Sequence, residues 1–328
     1  MKKVIFSIVI SVFFLYLAVR NVQWLEAKKS LFGANYLWMI PAMFLIAISF
    51  IPRAIRWQYL LRQEKRISIK SLFSVIMVGF MVNNVVPARI GDVARAFLLG
   101  KKEGISRSLS FGTIVLERIF DGIALIIFFG IGLFFFPMPS WAKGFIIIGL
   151  VIFGLGIFFL VLLKAKRESA VSLLTRLTGL FSKKLSERMG YILHKFIGGL
   201  ESLGKPDHIF LILFWSLISW LLFGLEFHLL FLSFGISNLP FYAPYFVMAI
   251  VSLGTLIPSA PGYIGVFQAF CVAGMALFGI EKNLAISYSV AVHIAQYIPV
   301  TSLGLYFLAK EGISFSSLVK QKDETTAI

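Results

Sequence analysis

The chain has 328 residues, of which 59% are hydrophobic and only 14% are charged, and its mean hydropathy is +0.91. A soluble domain carries roughly 25% charged residues, so this composition excludes a soluble globular protein. The apolar runs lack the strict alternation of a membrane β-barrel, and we therefore predict an all-α polytopic membrane protein.

The formal net charge is +16. In a soluble protein this excess would point to nucleic acid, but in a membrane protein Lys and Arg gather in cytoplasmic loops and set the topology. We therefore expect no nucleic-acid partner, and we expect the basic loops to contact anionic headgroups of membrane lipids. The single cysteine, Cys271, lies in an apolar run, and the sequence predicts no metal site and no cofactor.

Two apolar runs open the chain and predict helices over about 3–20 and 36–52. The first run indicates an uncleaved transmembrane helix, with a cleaved signal peptide as the alternative. Six basic residues then crowd one connection, which is typical of a cytoplasmic loop and places the N-terminus on the cytoplasmic side. These residues are Arg53, Arg56, Arg62, Lys65, Arg66 and Lys70.

The next apolar run, about 68–86, ends in a polar stretch that is broken by Pro87 and Gly91. A full crossing would place Lys101 and Lys102 outside, against the positive-inside rule, whereas a re-entrant hairpin returning over 92–100 keeps them inside. Helices usually end before proline, and glycine allows a tight turn. Non-helical backbone at membrane depth is tolerated only inside protein or beside a wet cavity, so this break is a candidate functional centre.

Long helices are predicted next, over about 107–136 and 142–163. The basic region 164–206 carries apolar residues at helical spacing, which predicts one or two interfacial helices on the cytoplasmic side, with a solvated charged loop as the alternative. The run 208–234 predicts a further outward helix.

A second apolar run, 241–257, breaks at 258–265 and returns over 266–280, so that this hairpin enters from outside. A last helix over about 284–309 brings the C-terminus to the cytoplasmic side. The prediction is thus a multi-pass protein of the cytoplasmic membrane, with about six full transmembrane helices and two re-entrant hairpins.

The two breaks share the pattern Pro-x-x-Ile-Gly, at 87–91 and at 261–265, and each precedes a long helix. Because the two hairpins enter from opposite sides, we predict an inverted repeat within a single integral-membrane domain over 1–328. The first repeat spans about 36–136 and the second about 208–309. Coincidence of ordinary Gly/Pro kinks is the alternative.

Charged side chains at membrane depth are the strongest functional signal. Each costs roughly 2.5–3.5 kcal/mol at the centre of an inserted helix, so it needs a partner or a water-filled cavity. Arg89 or Arg95 is expected to face Glu117 or Asp121, either as an ion-pair staple or as a substrate site. The predicted substrate-binding residues are Asn84, Arg89, Asp92, Arg95, Glu117, Arg118 and Asp121.

Arginine points to a phosphate, because its planar fork binds phosphate in a bidentate manner. Backbone N–H groups freed at the break also favour anions. In the second half, we predict that the broken segment and the following helix form the opposite gate. The residues of this gate are Pro261, Gly262, Gly265, His293 and Gln296.

These motifs resemble the flippase-like transmembrane domain of the lysylphosphatidylglycerol synthases, which also occurs alone in uncharacterised membrane proteins. The matching runs are Asn84-x-x-Pro87-Ala88-Arg89-Ile90-Gly91-Asp92-x-x-Arg95-Ala96, Gly104-Ile105-Ser106, Leu116-Glu117-Arg118-x-x-Asp121 and Pro258-x-x-Pro261-Gly262-x-Ile264-Gly265-Val266-Phe267. The resemblance covers nearly the whole chain.

The resemblance implies movement of a lipid across the bilayer. The substrate we expect is an anionic phospholipid, an aminoacyl-phospholipid or a polyprenyl-phosphate-linked sugar. The synthases carry a C-terminal soluble domain for aminoacyl transfer, whereas this chain ends at Ile328 after a short polar tail, so we do not expect an enzyme. The alternatives are an integral-membrane glycosyl- or acyltransferase and a scaffold for a soluble lipid-modifying enzyme.

Overall fold

The computed structural model describes residues 2–86, 90–135, 140–180, 182–201 and 206–315. The regular secondary structure of these ranges is helical, with two short 3-10 turns, Tyr36–Trp38 and Pro261–Tyr263. In chain order the helices are α1 (Lys2–Val19), α2 (Trp24–Gly33), α3 (Met39–Leu61), α4 (Ile69–Val85), α5 (Gly91–Glu103), α6 (Arg107–Phe135), α7 (Ser140–Ala165), α8 (Arg167–Gly179), α9 (Lys183–Glu201), α10 (Pro206–Ser233), α11 (Ala243–Gly254), α12 (Val266–Ala276) and α13 (Lys282–Lys310).

Several of the described helices are long and apolar enough to cross a membrane. Three single segments qualify by length and composition: Tyr36–Leu61, His208–Ser233 and Lys282–Lys310. Two pairs, α1 with α2 and α7 with α8, qualify only as bent units, with bends of 88° and 90°. The described chain therefore holds three to five candidate spans, and this measure does not confirm the predicted six.

Most helix positions agree with the sequence, including the predicted interfacial region, which forms the two helices α8 and α9. The connection between the first two predicted helices is different, because it contains a further helix, α2. Trp24, Leu25 and Phe32 of α2 are exposed while Ala27 is buried, so α2 packs one face on the protein and leaves aromatic side chains outside. This is the distribution of a helix lying at a membrane surface.

Helix α3 corrects one sequence interpretation. It continues to Leu61 rather than ending near residue 52, because Trp57, Leu60 and Leu61 are buried against α4 and α6. Arg53 and Arg56, which were counted as cytoplasmic loop charges, consequently lie inside the protein and are 7% and 1% exposed.

The first broken segment is a helical hairpin. The N–H of Gly91, the first residue of α5, donates to the Asn83 side chain at 2.8 Å, so α4 caps α5 across the break. A Cβ on Gly91 would overlap the carbonyl oxygen of Gly79, so the two helices approach with only backbone between them. Glu103 at the end of α5 pairs with Lys65, just before α4. Both ends of the hairpin thus lie at the same end of the molecule.

The second broken segment, α11 and α12, is also a hairpin. Tyr242 and Phe246 at its start lie beside Phe278 at its end, with ring centroids 6.3 and 6.0 Å apart. Gly262 and Gly265 in the connection have φ of +66° and +90°, which glycine adopts without strain.

The two hairpins open toward opposite ends of the molecule and meet at their tips. Helix α3 begins at the end of α10, where the Asn35 N–H donates to the Ser233 carbonyl at 2.8 Å, and α3 ends beside the first hairpin. The second hairpin follows α10 and therefore starts at the far end. Gly262 at its break packs against the carbonyl oxygen of Asn84 near the end of α4.

Candidate functional site

A network of buried and half-buried charged side chains joins three helices inside the molecule. Its members are Arg53 and Arg56 of α3, Asp92 and Arg95 of α5, and Glu117, Arg118 and Asp121 of α6. Burial of this many charges is tolerated only because each finds an opposite charge or a hydrogen-bond partner.

The inner part of the network holds the hairpin in place. Arg95 donates to both oxygens of Glu117, at 2.9 and 3.2 Å, and its guanidinium lies 4.2 Å from the centre of the Trp57 ring. Arg95 is 1% exposed and Glu117 is 2% exposed. This bidentate pair fixes α5 on α6, and neither residue lines the cavity described below.

Asp121 is the junction of the network. Its Oδ1 accepts from Arg56 at 2.7 Å and from the Trp220 indole of α10 at 3.1 Å. Its Oδ2 lies 3.6 Å from Arg53 and 3.5 Å from Arg118. One carboxylate therefore orients three guanidinium groups.

The outer part of the network faces open space. Arg118 donates to Asp92 at 2.9 Å, and its side chain is 30% exposed, against 1% for Arg56 and Arg95. Arg53 donates through Nε to Ser219 at 3.0 Å and lies 5.0 Å from the Trp220 ring. Both arginines line a cavity, and their guanidinium groups carry more N–H donors than these contacts occupy.

The cavity has a volume of about 290 Å³ and lies where the two hairpin tips meet. Arg53, Asp92, Arg118 and Asp121 form its charged wall. The rest is largely aromatic and apolar. Other lining residues are Asn83, Asn84, Gly262, Tyr263, His293 and Gln296, together with Phe50, Phe80, Phe153, Trp220 and Phe267.

The charges of the network do not cancel. Four arginines face three carboxylates, so the described cluster carries one excess positive charge. Arginine does not lose its proton in proteins, and the excess is therefore permanent. An anion entering the cavity would be attracted by this charge in a medium of low dielectric constant.

The wall from the second half is built around a glutamine and a histidine. Gln268 accepts from the Gly265 N–H at 2.7 Å, and its amide nitrogen lies 2.8 Å from Nδ1 of His293. The His293 ring stacks on Phe267, with centroids 4.6 Å apart. Gln296, one turn further along α13, donates to Glu226 of α10 at 2.9 Å.

The predicted site residues fall into three groups. Asn84, Asp92, Arg118, Asp121, Gly262, His293 and Gln296 line the cavity. Arg95 and Glu117 pair with each other behind it, while Pro261 and Gly265 shape the second break. Arg89 lies outside the described residues.

Sequence reasoning missed the residues that α3 and α10 contribute. Arg53 and Arg56 are three residues apart, and the run continues with mostly apolar residues to Leu61. This spacing places both arginines on one face of a helix, and it could have predicted that α3 continues to Leu61. Ser216, Ser219 and Trp220 carry no charge, and nothing in their spacing marks them as partners of arginine.

Fold and site together define a multi-pass helical membrane protein with a charged internal cavity. The sequence model of the lysylphosphatidylglycerol synthase TM region matches residues 4–304, and the chain belongs to that family. The family expected from the motifs is confirmed.

The chain is also similar to UPF0104 membrane proteins of archaea. One from Methanothermobacter thermautotrophicus is 22% identical over 90% of this chain and 92% of its own length. One from Methanocaldococcus jannaschii is 28% identical over 71% of this chain and 95% of its own. One from Pyrococcus horikoshii is 24% identical over 88% and 92%. No solved structure matches the chain significantly.

Proposed function

We propose that this protein translocates an anionic lipid across the cytoplasmic membrane, in the manner of a flippase, and that the phosphate of the headgroup occupies the central cavity. The observation that carries the proposal is the position of the cavity. It lies between the tips of two hairpins that open toward opposite ends of the molecule, and its wall carries arginines.

The chemistry of the wall favours a phosphate headgroup. Arg53 and Arg118 are guanidinium forks, which match phosphate oxygens, and the adjacent aromatic rings exclude water from the contact. Anionic phospholipids, aminoacyl-phospholipids and polyprenyl-phosphate-linked sugars share this phosphate. Ligand pockets measure roughly 300–1,000 Å³, so a cavity of about 290 Å³ suits a headgroup with its acyl chains left outside.

An inverted repeat would let one cavity serve both sides of the membrane. The packing of the helices supports such a repeat, because the contacts among α3, α4, α5 and α6 have counterparts among α10, α11, α12 and α13. Helix α3 packs on α4 as α10 packs on α11, and α5 packs on α6 as α12 packs on α13. Across the halves, α4 packs on α13 as α11 packs on α6.

Two glycines support the same correspondence. A Cβ on Gly79 of α4 would overlap the Arg95 side chain, and a Cβ on Gly254 of α11 would overlap the Phe270 ring. Each glycine precedes its large partner by the same interval and sits on the first arm of its hairpin. In both hairpins a glycine of the first helix thus makes room for a large side chain of the second, which is an arginine in the first hairpin and a phenylalanine in the second.

The distribution of charge supports cytoplasmic termini. One end of the molecule carries Lys65, Lys70, Lys101 and Lys102 together with the end of α13, where Lys102 pairs with Glu311. By the positive-inside rule this end faces the cytoplasm.

The role of Arg118 is tested by Arg118→Lys, which keeps the charge and removes the fork. Losing one charge-assisted hydrogen bond, worth about 1.5–3 kcal/mol, slows translocation roughly ten- to 100-fold. The measurement is the rate at which fluorescent phosphatidylglycerol crosses the bilayer of reconstituted liposomes. Arg62→Lys, the same change at the exposed end of α3, is the matched control and leaves the rate unchanged. Equal rates for both variants would remove Arg118 from the site.

A further inference from the structure

A carboxyl group outside the charged network lies behind the cavity wall, next to Gln296. Glu226 of α10 is 0% exposed. Its Oε2 accepts one hydrogen bond, from Gln296 at 2.9 Å, and its Oε1 has no hydrogen-bond partner. The carboxyls of Glu117 and Asp121, by contrast, are each paired with arginines.

The surroundings of Glu226 leave its charge without a partner. In the part of the chain that the structure describes, no salt bridge involves Glu226, and the one hydrogen bond to its carboxyl comes from a neutral amide. An isolated carboxylate is far more costly to bury than a neutral carboxyl, which binds a proton instead. The geometry is therefore that of a proton-binding site.

Other ionisable groups lie on α10 or on the elements packed against it. Tyr288 of α13 donates to the Phe227 carbonyl at 2.8 Å, and Tyr245 of α11 packs its ring on Gly224. Arg53 and Asp121, from α3 and α6, contact α10 at Ser219 and Trp220, about two helical turns before Glu226. His228 lies on α10 itself, and Tyr36 lies in the 3-10 turn that packs against α10.

Gln296 connects this carboxyl to the cavity, because it donates to Glu226 and also lines the cavity wall. With its nitrogen bound to Glu226, its amide oxygen is directed away from that carboxylate. A protonated Glu226 instead offers an O–H donor, which the oxygen of the same amide can accept. Rotation of the amide by half a turn satisfies that donor and turns the nitrogen away from Glu226.

We propose that Glu226 binds a proton and that the Gln296 amide transmits this event to the cavity, so that lipid translocation is linked to protonation. The proton comes from water in the cavity, and Glu226 gives the proton back to this water on release. Because the Gln296 amide rotates on protonation, its nitrogen replaces its oxygen in the cavity wall. A hydrogen-bond donor thus replaces an acceptor, which favours binding of an anionic headgroup. The link rests on the proposed lipid translocation, whereas the proton site itself does not.

Infrared spectroscopy tests the proton site without any transport. We expect purified wild-type protein at acidic and neutral pH to show the C=O band of a buried protonated carboxyl group, and Glu226→Gln to lack it. Glu26→Gln, at an exposed glutamate paired with Lys29, is the matched control and retains the band. Identical spectra for wild type and Glu226→Gln would overturn the proposal.

Translocation of fluorescent phosphatidylglycerol in liposomes at a series of pH values tests the link. We expect the wild-type rate to rise as the pH falls from alkaline values toward neutral, and the Glu226→Gln rate to be independent of pH over that range, because the substituted amide always offers a donor. His293→Gln removes the histidine of this wall as a possible source of the effect, and we expect this variant to retain the pH dependence.

The outcomes are distinguishable. A pH dependence that survives Glu226→Gln and disappears in His293→Gln would overturn the link and assign it to the histidine. An infrared band without lipid transport by the wild type would contradict the proposed function and leave the proton site standing. Lipid transport by a wild-type protein that lacks the infrared band would overturn the proton site and leave the proposed function standing.

Discussion

At the scale of single residues, the charged network divides between structure and binding. Arg95 and Glu117 pair with each other away from the cavity, while Arg53 and Arg118 line it. The sequence predicts that Arg89 or Arg95 pairs with Glu117 or Asp121, because opposite charges at membrane depth stabilise each other. The structure shows the pair of Arg95 with Glu117. The sequence does not predict which arginine faces the cavity, since this depends on how α3 and α6 are rotated in the bundle.

Glu117→Gln tests the structural part of the network. The substitution leaves Arg95 with a neutral partner in a buried position, and breaking a buried ion pair costs roughly 3–5 kcal/mol. We expect a clear fall in the midpoint of thermal unfolding in detergent. Glu26→Gln breaks an exposed pair, worth about 0–1 kcal/mol, and serves as the matched control. Similar midpoints for the two variants would contradict the structural role of Glu117.

At the scale of helices, sequence signals locate breaks better than ends. Proline and glycine mark both hairpin tips because their effect on the backbone is local. The end of α3 is not predicted, because Arg53 and Arg56 have the charge that is typical of a cytoplasmic loop. Their burial depends on Asp121 of α6, which is distant in sequence. Helix α2 is not predicted from the sequence, because a short helix with one face covered by the protein gives only a weak hydrophobic pattern.

Gly91→Ala tests the close approach of α4 and α5. The added methyl group meets the Gly79 carbonyl and the Asn83 side chain, and backbone cannot yield as a flexible side chain does. Overpacking of this kind costs about 1–3 kcal/mol, so we expect a lower unfolding midpoint and less monodisperse protein on size-exclusion chromatography.

Gly130→Ala is the control for this change, because an added Cβ on that exposed glycine of α6 meets nothing within 4 Å. It leaves stability unchanged or slightly raised, as alanine favours a helix over glycine by up to about 1 kcal/mol. Equal behaviour of the two alanine variants would contradict the described packing of the first hairpin.

At the scale of the whole molecule, two hairpins from opposite ends enclose one cavity. The shared Pro-x-x-Ile-Gly pattern predicts this relationship from sequence, and the paired contacts of Gly79 with Arg95 and of Gly254 with Phe270 support it. The repeated sequence pattern does not predict that the two halves contribute different kinds of residue to the cavity. The first half contributes fixed charges, whereas the second contributes His293, Gln296 and, behind them, Glu226.

The central claim is that an anionic lipid headgroup crosses the membrane through this cavity. The most direct measurement is the translocation rate of fluorescent lipids in liposomes that contain the purified wild-type protein, with protein-free liposomes as the control. The account predicts rapid movement of phosphatidylglycerol and slow movement of zwitterionic phosphatidylcholine, because the wall carries an excess positive charge. Equal rates for the two lipids, or rates no higher than in protein-free liposomes, would contradict it.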